Sequence, residues 1–104
     1  MQTMLNNPDR QLARHAAEAA EMLKQLANPV RLAILCSLIG REKSVGEIHK
    51  SVEISQSALS QHLAKMREAG LVEAEKRGQM VYYRIADMRA YAILSTLYLI
   101  YCKE

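Results

Sequence analysis

A chain of 104 residues, half of them hydrophobic, has room for one small domain and not two, and a domain of this size covers only part of its own apolar surface, so help from a second chain is expected. Lys and Arg outnumber Asp and Glu by 14 to 11, a formal +3 that suits an anionic partner. The first twenty residues lack the apolar core of a signal peptide, and the longest apolar run, Ala90 to Cys102, is too short to span a bilayer. The expectation is therefore a cytoplasmic protein without a membrane partner, whose two cysteines do not form a permanent structural disulfide.

Leu12, Ala16, Ala19, Leu23 and Leu26 recur at helical spacing, which predicts a first helix over about 9–26. Asn28 is a suitable N-cap, Pro29 fits the first helical position where its missing N–H costs nothing, and Gly40 suits the left-handed end of the second helix. Ser44 and Glu47 stand in capping-box spacing at the head of a short third helix, and Ser55 caps the fourth only a few residues beyond it. Two helices joined by a tight turn result, a helix-turn-helix over about 44–70. After Gly70 the pattern alternates: Val81, Tyr83 and Ile85 share a face, and "KRGQ" supplies the turn of a hairpin, a wing over about 71–86. Asp87 caps a last helix over about 88–102, which is apolar almost all round.

This order is that of a winged helix-turn-helix: mainly α with a small β-hairpin, in one domain over 1–104. In "ISQSALSQHLAKMREAGLV" the residues Leu59, Leu63 and Met66 form the inward stripe, while Gln56, Ser57, Ser60 and Gln61 crowd the outward face of the first two turns. A polar face is most often merely solvated. Amides and short hydroxyls at the head of a second helix are, however, what a major groove accepts, because Gln pairs with adenine edges and Ser serves bases or phosphates, whereas a carboxylate is repelled. Lys76 and Arg77 at the hairpin tip add cations within reach of the phosphate backbone. Capped helix pair, uncharged face and basic wing together predict a partner of double-stranded DNA.

Other chemistry finds little footing. Ser60 and His62, two residues apart on a helix, point away from one another, and no Gly-rich phosphate loop is present, so no enzyme is expected. His15, His49 and His62 fall on three helices without the spacing that presents two metal ligands together, and neither a metal nor any other cofactor is expected. Cys36 follows Leu32 and precedes Ile39 at helical spacing, and Cys102 follows Tyr98. The residues themselves leave two readings open: small core thiols, or a redox or metal pair.

The segments "LANPVRLAIL", "SVGEI", "SQSALSQHLAKMREAGLV" and "GQMVYYRI" resemble the second helix, third helix, recognition helix and wing of the ArsR/SmtB transcriptional regulators, over nearly the whole chain. The resemblance implies a homodimer built by the first and last helices (about 9–26 and 88–102), operator binding through Gln56, Ser57, Ser60, Gln61 and the wing, and an effector that alters DNA affinity. An apolar final helix agrees, and charges placed at Leu94 or Leu97 are expected to give monomers or insoluble protein. The metal-sensing cysteine cluster of many members is replaced here by "SVGEIHKSV", and the last helix has no histidine. "LCSL" and "LYLIYCKE" instead match the two cysteine positions of the HlyU, BigR and SqrR-like thiol regulators. That resemblance implies a sensor of oxidants or reactive sulfur species, often a repressor, in which Cys36 and Cys102 form a disulfide or polysulfide bridge. The alternative is the same DNA-binding dimer with inert cysteines or a metal effector.

Overall fold

Each predicted start signal does its work at the start of a helix. A computed structural model describes residues 8–102, with α1 over Pro8–Arg14, α2 over Ala16–Leu26, α3 over Pro29–Ser37, α4 over Val45–Ser51, α5 over Gln56–Glu68 and α6 over Met88–Tyr101. Asn28 Oδ1 accepts from Arg31 N at 3.0 Å, Ser55 Oγ from Ala58 N at 3.1 Å, and Asp87 Oδ1 from Arg89 N at 2.9 Å. At α4 the capping box is complete: Ser44 Oγ accepts from Glu47 N at 3.3 Å and Ser44 N donates to Glu47 Oε1 at 2.9 Å. These bonds satisfy amides that have no partner inside their own helix.

The first helix is interrupted where the sequence predicts one rod. His15 leaves helical geometry (φ −106, ψ 11): its N–H turns back to Leu12 O at 3.0 Å, closing α1, while its carbonyl accepts from Ala19 N and opens α2. The His15 ring meets Glu18 at 3.1 Å, a side-chain contact that periodicity does not register.

The wing is a hairpin of β2, Val72–Arg77, and β3, Met80–Ile85. Its two-residue turn has Gly78 at positive φ (62) and Gln79 at negative φ. That is the arrangement of a type II′ turn, whose twist matches the strands. A third strand, β1 (Lys43–Ser44), pairs antiparallel with β3 through Lys43↔Tyr83 and Ser44↔Tyr82, giving the order β1-β3-β2. It adds to the predicted hairpin; two residues carry too little alternation to announce a strand, and one of them is also the N-cap of α4. Between α5 and β2 a Schellman turn reverses the chain, with Leu71 N bonded to Met66 O (2.9 Å), Gly70 N to Arg67 O (3.0 Å) and Gly70 at φ 79.

One core joins these elements. Ile34, Leu35 and Leu38, Ile48, then Leu59, Leu63 and Met66, with Leu71, Ala90 and Leu94, are all essentially inaccessible to water. Leu94 therefore belongs to the protomer's own interior, and a charge there would break the fold rather than split a dimer. The outer side of α6 is different: Leu99 is 62% exposed and Ile100 64%, with Tyr98 and Tyr101 beside them. Leu12 of α1 is 65% exposed. No described helix is long and apolar enough to cross a membrane.

Candidate DNA interface and thiol pocket

α4 and α5 are held at a fixed angle by what they share. Ile48 and Val52 bury against Leu59, Leu63 and Met66, and His49 Nε2 lies 2.8 Å from Ile54 O in the connecting turn. A carbonyl only accepts, so Nε2 carries the proton and donates across the turn. With α5 pinned by its apolar stripe, Gln56, Ser57, Ser60 and Gln61 project outward together, all exposed, on the first two turns. Ser57 Oγ also lies 3.4 Å from the capping Ser55 Oγ. The side chains of Gln56, Ser60 and Gln61 make no hydrogen bond among those described. His62 is half-buried, its Nδ1 enclosed without a hydrogen-bond partner, so it packs rather than caps.

The wing departs from its expected form. Lys76 pairs with Val81 across the hairpin and Arg77 with Met80, so the two adjacent cations face opposite sides of the ribbon. Lys76 is exposed. Arg77 is not a free cation at the tip: both its Nη atoms bond Glu42, one contact at 2.9 Å, Nη2 also meets Glu75 at 2.9 Å, and the guanidinium lies 4.9 Å from the centre of the Tyr82 ring. Arg84 extends the network to Glu73 (2.8 Å) and Glu75 (3.3 Å). The hydrogen bonds to Arg77 hold the Glu42 and Glu75 carboxyls below the usual carboxylate range. The cross-strand register foretells the Glu73 and Arg84 pair; Glu42, distant in sequence, gives no signal of its role.

The two cysteines come together. Cys36 on α3 is half-buried and Cys102, which ends α6, is exposed, and both line one pocket of about 370 Å3 with Pro29, Leu32, Ala33, Leu97 and Tyr101. Every other lining residue is apolar apart from the Tyr101 hydroxyl. Burial, and secondly the charge of a Cys102 thiolate, push the Cys36 thiol above its ordinary value. A second, larger trough of about 600 Å3 runs between α2 and α6, floored by Ala19, Met22, Leu23 and Ile93 and edged by His15, Glu18 and Arg89. Among the described residues no three His, Cys, Asp or Glu side chains gather where they would hold a metal ion.

An anchored helix pair whose second helix exposes an uncharged polar face on its first two turns, followed by a two-stranded wing, defines a winged helix-turn-helix regulator of transcription, a DNA-binding protein and not an enzyme. The sequence pattern of "Bacterial regulatory protein, arsR family" matches residues 28–74, from the cap of α3 into β2. The chain belongs to the ArsR family. It is 43% identical over 94 residues to the transcriptional activator HlyU of Vibrio cholerae, covering 90% of this chain and 87% of that one. The crystal structure of the transcriptional repressor BigR from Xylella fastidiosa superposes with a TM-score of 0.83 at 36% identity, over 94% of this chain and 100% of that one. A structure described as reduced HlyU from Vibrio cholerae gives 0.81 at 43% identity, over 89% and 98%.

Proposed function

We propose that this regulator binds a two-fold operator as a homodimer, with Gln56, Ser57, Ser60 and Gln61 in the major groove and Lys76 on the backbone, and that linking Cys36 to Cys102 lowers its operator affinity. The observation that carries the switch is the shared pocket: two cysteines far apart in sequence line one small, largely apolar space. The apolar outer side of α6 and the trough between α2 and α6 support the dimer, since a two-fold partner would cover both. That one relative is described in a reduced form is consistent with a thiol signal. Activator and repressor both occur among the relatives, and one affinity switch serves either output.

The chemistry divides between the two thiols. Cys102, exposed, meets the reagent first: its thiolate attacks the outer sulfur of a small persulfide, expelling the parent thiol and leaving Cys102 as a persulfide. The Cys36 thiolate then attacks the sulfur of Cys102 and expels hydrogen sulfide, closing a disulfide. The two cysteines lose two electrons and the zero-valent sulfur takes them up. If Cys102 first collects a second sulfur, the same attack on the middle atom closes a trisulfide, with each inserted sulfur adding about 2 Å of reach. The apolar walls suit an uncharged sulfur chain, and cellular thiols reverse the bond. A bridge ties α3, which leads into the helix-turn-helix, to the proposed dimer helix α6, so the two recognition helices must shift relative to one another.

Base reading is tested on the duplex that the reduced protein selects from a random pool. Gln61→Ala and Ser60→Ala each weaken binding to that duplex by about 1–3 kcal/mol while hardly changing binding to random sequence. Equal losses on both would remove the base-reading role. For the switch, intact mass after a persulfide donor shows the bridge in the wild type and none in Cys36→Ser or Cys102→Ser.

A further inference from the structure

We infer that Arg77 is a positioning residue that fastens the wing to the body of the regulator, and not a ligand of DNA phosphate. Both ends of its guanidinium fork are occupied: Glu42, in the segment between α3 and β1, takes both Nη atoms, and Glu75 takes a second bond from Nη2. Tyr82 backs the plane at 4.9 Å. A fork-to-fork pair of this kind fixes orientation as well as distance, which a lysine at the same place would not do. A phosphate that reached for Arg77 would have to compete with two carboxylates already bonded to its Nη atoms.

The surrounding charge argues the same way. Glu42, Glu73 and Glu75 set three negative charges against Arg77 and Arg84, so this side of the wing repels a polyanion instead of attracting one. Lys76, turned to the other side of the ribbon, has no ion pair among those described and is the cation the wing offers. Glu42 is the only member of the network outside the hairpin, so its bond to Arg77 is what ties the wing's far end to the segment that leaves α3. Without that tie the hairpin is held only as far out as Tyr82, by its pairing with β1 and by the Arg84–Glu42 contact, and the tip beyond, Lys76 included, loses its fixed position.

The inference rests on the reading that the wing meets DNA, and charge exchange separates the two. Arg77→Glu and Glu42→Arg, measured singly, each weaken binding to the selected duplex by about tenfold, whereas the double variant, with the pair reversed and net charge unchanged, returns to within about threefold of wild type. A phosphate ligand at position 77 would not be restored by an arginine at position 42, so a double variant no tighter than Arg77→Glu alone overturns the inference. Glu42→Gln gives the opposite sign under the two readings: it loosens binding about threefold if it frees the wing, and tightens it if it frees a phosphate-seeking arginine. Unchanged or tighter binding counts against the positioning role. In the same titrations Lys76→Ala lowers the dependence of log affinity on log salt by about 0.9 if the wing touches the backbone, and an unchanged slope removes that contact whatever the charge exchange shows.

Discussion

Replacing Leu99 by Glu tests the assembly of the regulator without disturbing its protomer. Leu99 is 62% exposed on the outer side of α6 and takes no part in the core that Ala90 and Leu94 join from the same helix. Burying a leucine completely is worth about 1.5–3 kcal/mol, so covering the exposed two-thirds yields about 1–2 kcal/mol. A two-fold interface counts each position twice. Loss of the apolar term alone therefore costs about 2–4 kcal/mol, a rise in the dimer dissociation constant of about 30- to 1,000-fold, and two carboxylates brought into an apolar interface add to it. Sedimentation velocity over a range of concentrations reads this directly, with far-UV circular dichroism showing that the helices remain. Operator binding falls with it, because one site needs two recognition helices about 34 Å apart. A Leu99→Glu protein that stays folded and sediments as a dimer at the same concentrations as wild type would refute the placement of the interface on α6.

Ser44→Ala removes the hydroxyl that accepts from Glu47 N, at a buried position, and lowers unfolding free energy by about 1–2 kcal/mol in urea titrations; a loss under a few tenths would mean the capping box carries no weight. The raised Cys36 thiol makes bridge closure depend on its small thiolate fraction, so the closing rate climbs about tenfold per pH unit from about pH 6.5 to 8 without levelling off. Rapid quenching and mass analysis follow it, and a plateau in that range would contradict the half-buried, neutral thiol. The same shift has a sign for stability: the fold favours the neutral thiol, so the reduced protein keeps this contribution below about pH 8.5 and loses it at higher pH, a loss absent in Cys36→Ser.

Local signals in the chain were readable wherever a residue acts on its near neighbours. Asn28, Ser44 with Glu47, Ser55 and Asp87 cap the helices their positions announce, and Leu59, Leu63 and Met66 bury as their spacing requires. Contacts between distant parts were not. Nothing near Arg77 points to Glu42, and adjacency in sequence disguised the fact that Lys76 and Arg77 leave a strand on opposite sides. The break at His15 and the brief strand at Lys43–Ser44 are set by a side-chain contact and by a pairing that helical periodicity does not record. The apolar character of α6 was evident, but its division between the protomer core at Leu94 and an open side at Leu99 and Ile100 needed the packing. Cysteine spacing alone allowed inert thiols; resemblance to thiol-sensing regulators suggested a pair, and the common pocket supports it.

The central claim is that a bond between Cys36 and Cys102 changes how tightly the regulator holds DNA. Its most direct test is the affinity of one preparation for the selected duplex, measured by fluorescence anisotropy when fully reduced, after a persulfide donor, and after re-reduction, with Cys36→Ser and Cys102→Ser carried in parallel. The bridged wild type is expected to bind about 5- to 150-fold more weakly, a coupling of about 1–3 kcal/mol, reduction to restore it, and neither serine variant to respond. A wild type whose thiols are fully bridged by mass yet binds as tightly as the reduced protein, or a response that persists when both cysteines are serine, would contradict it.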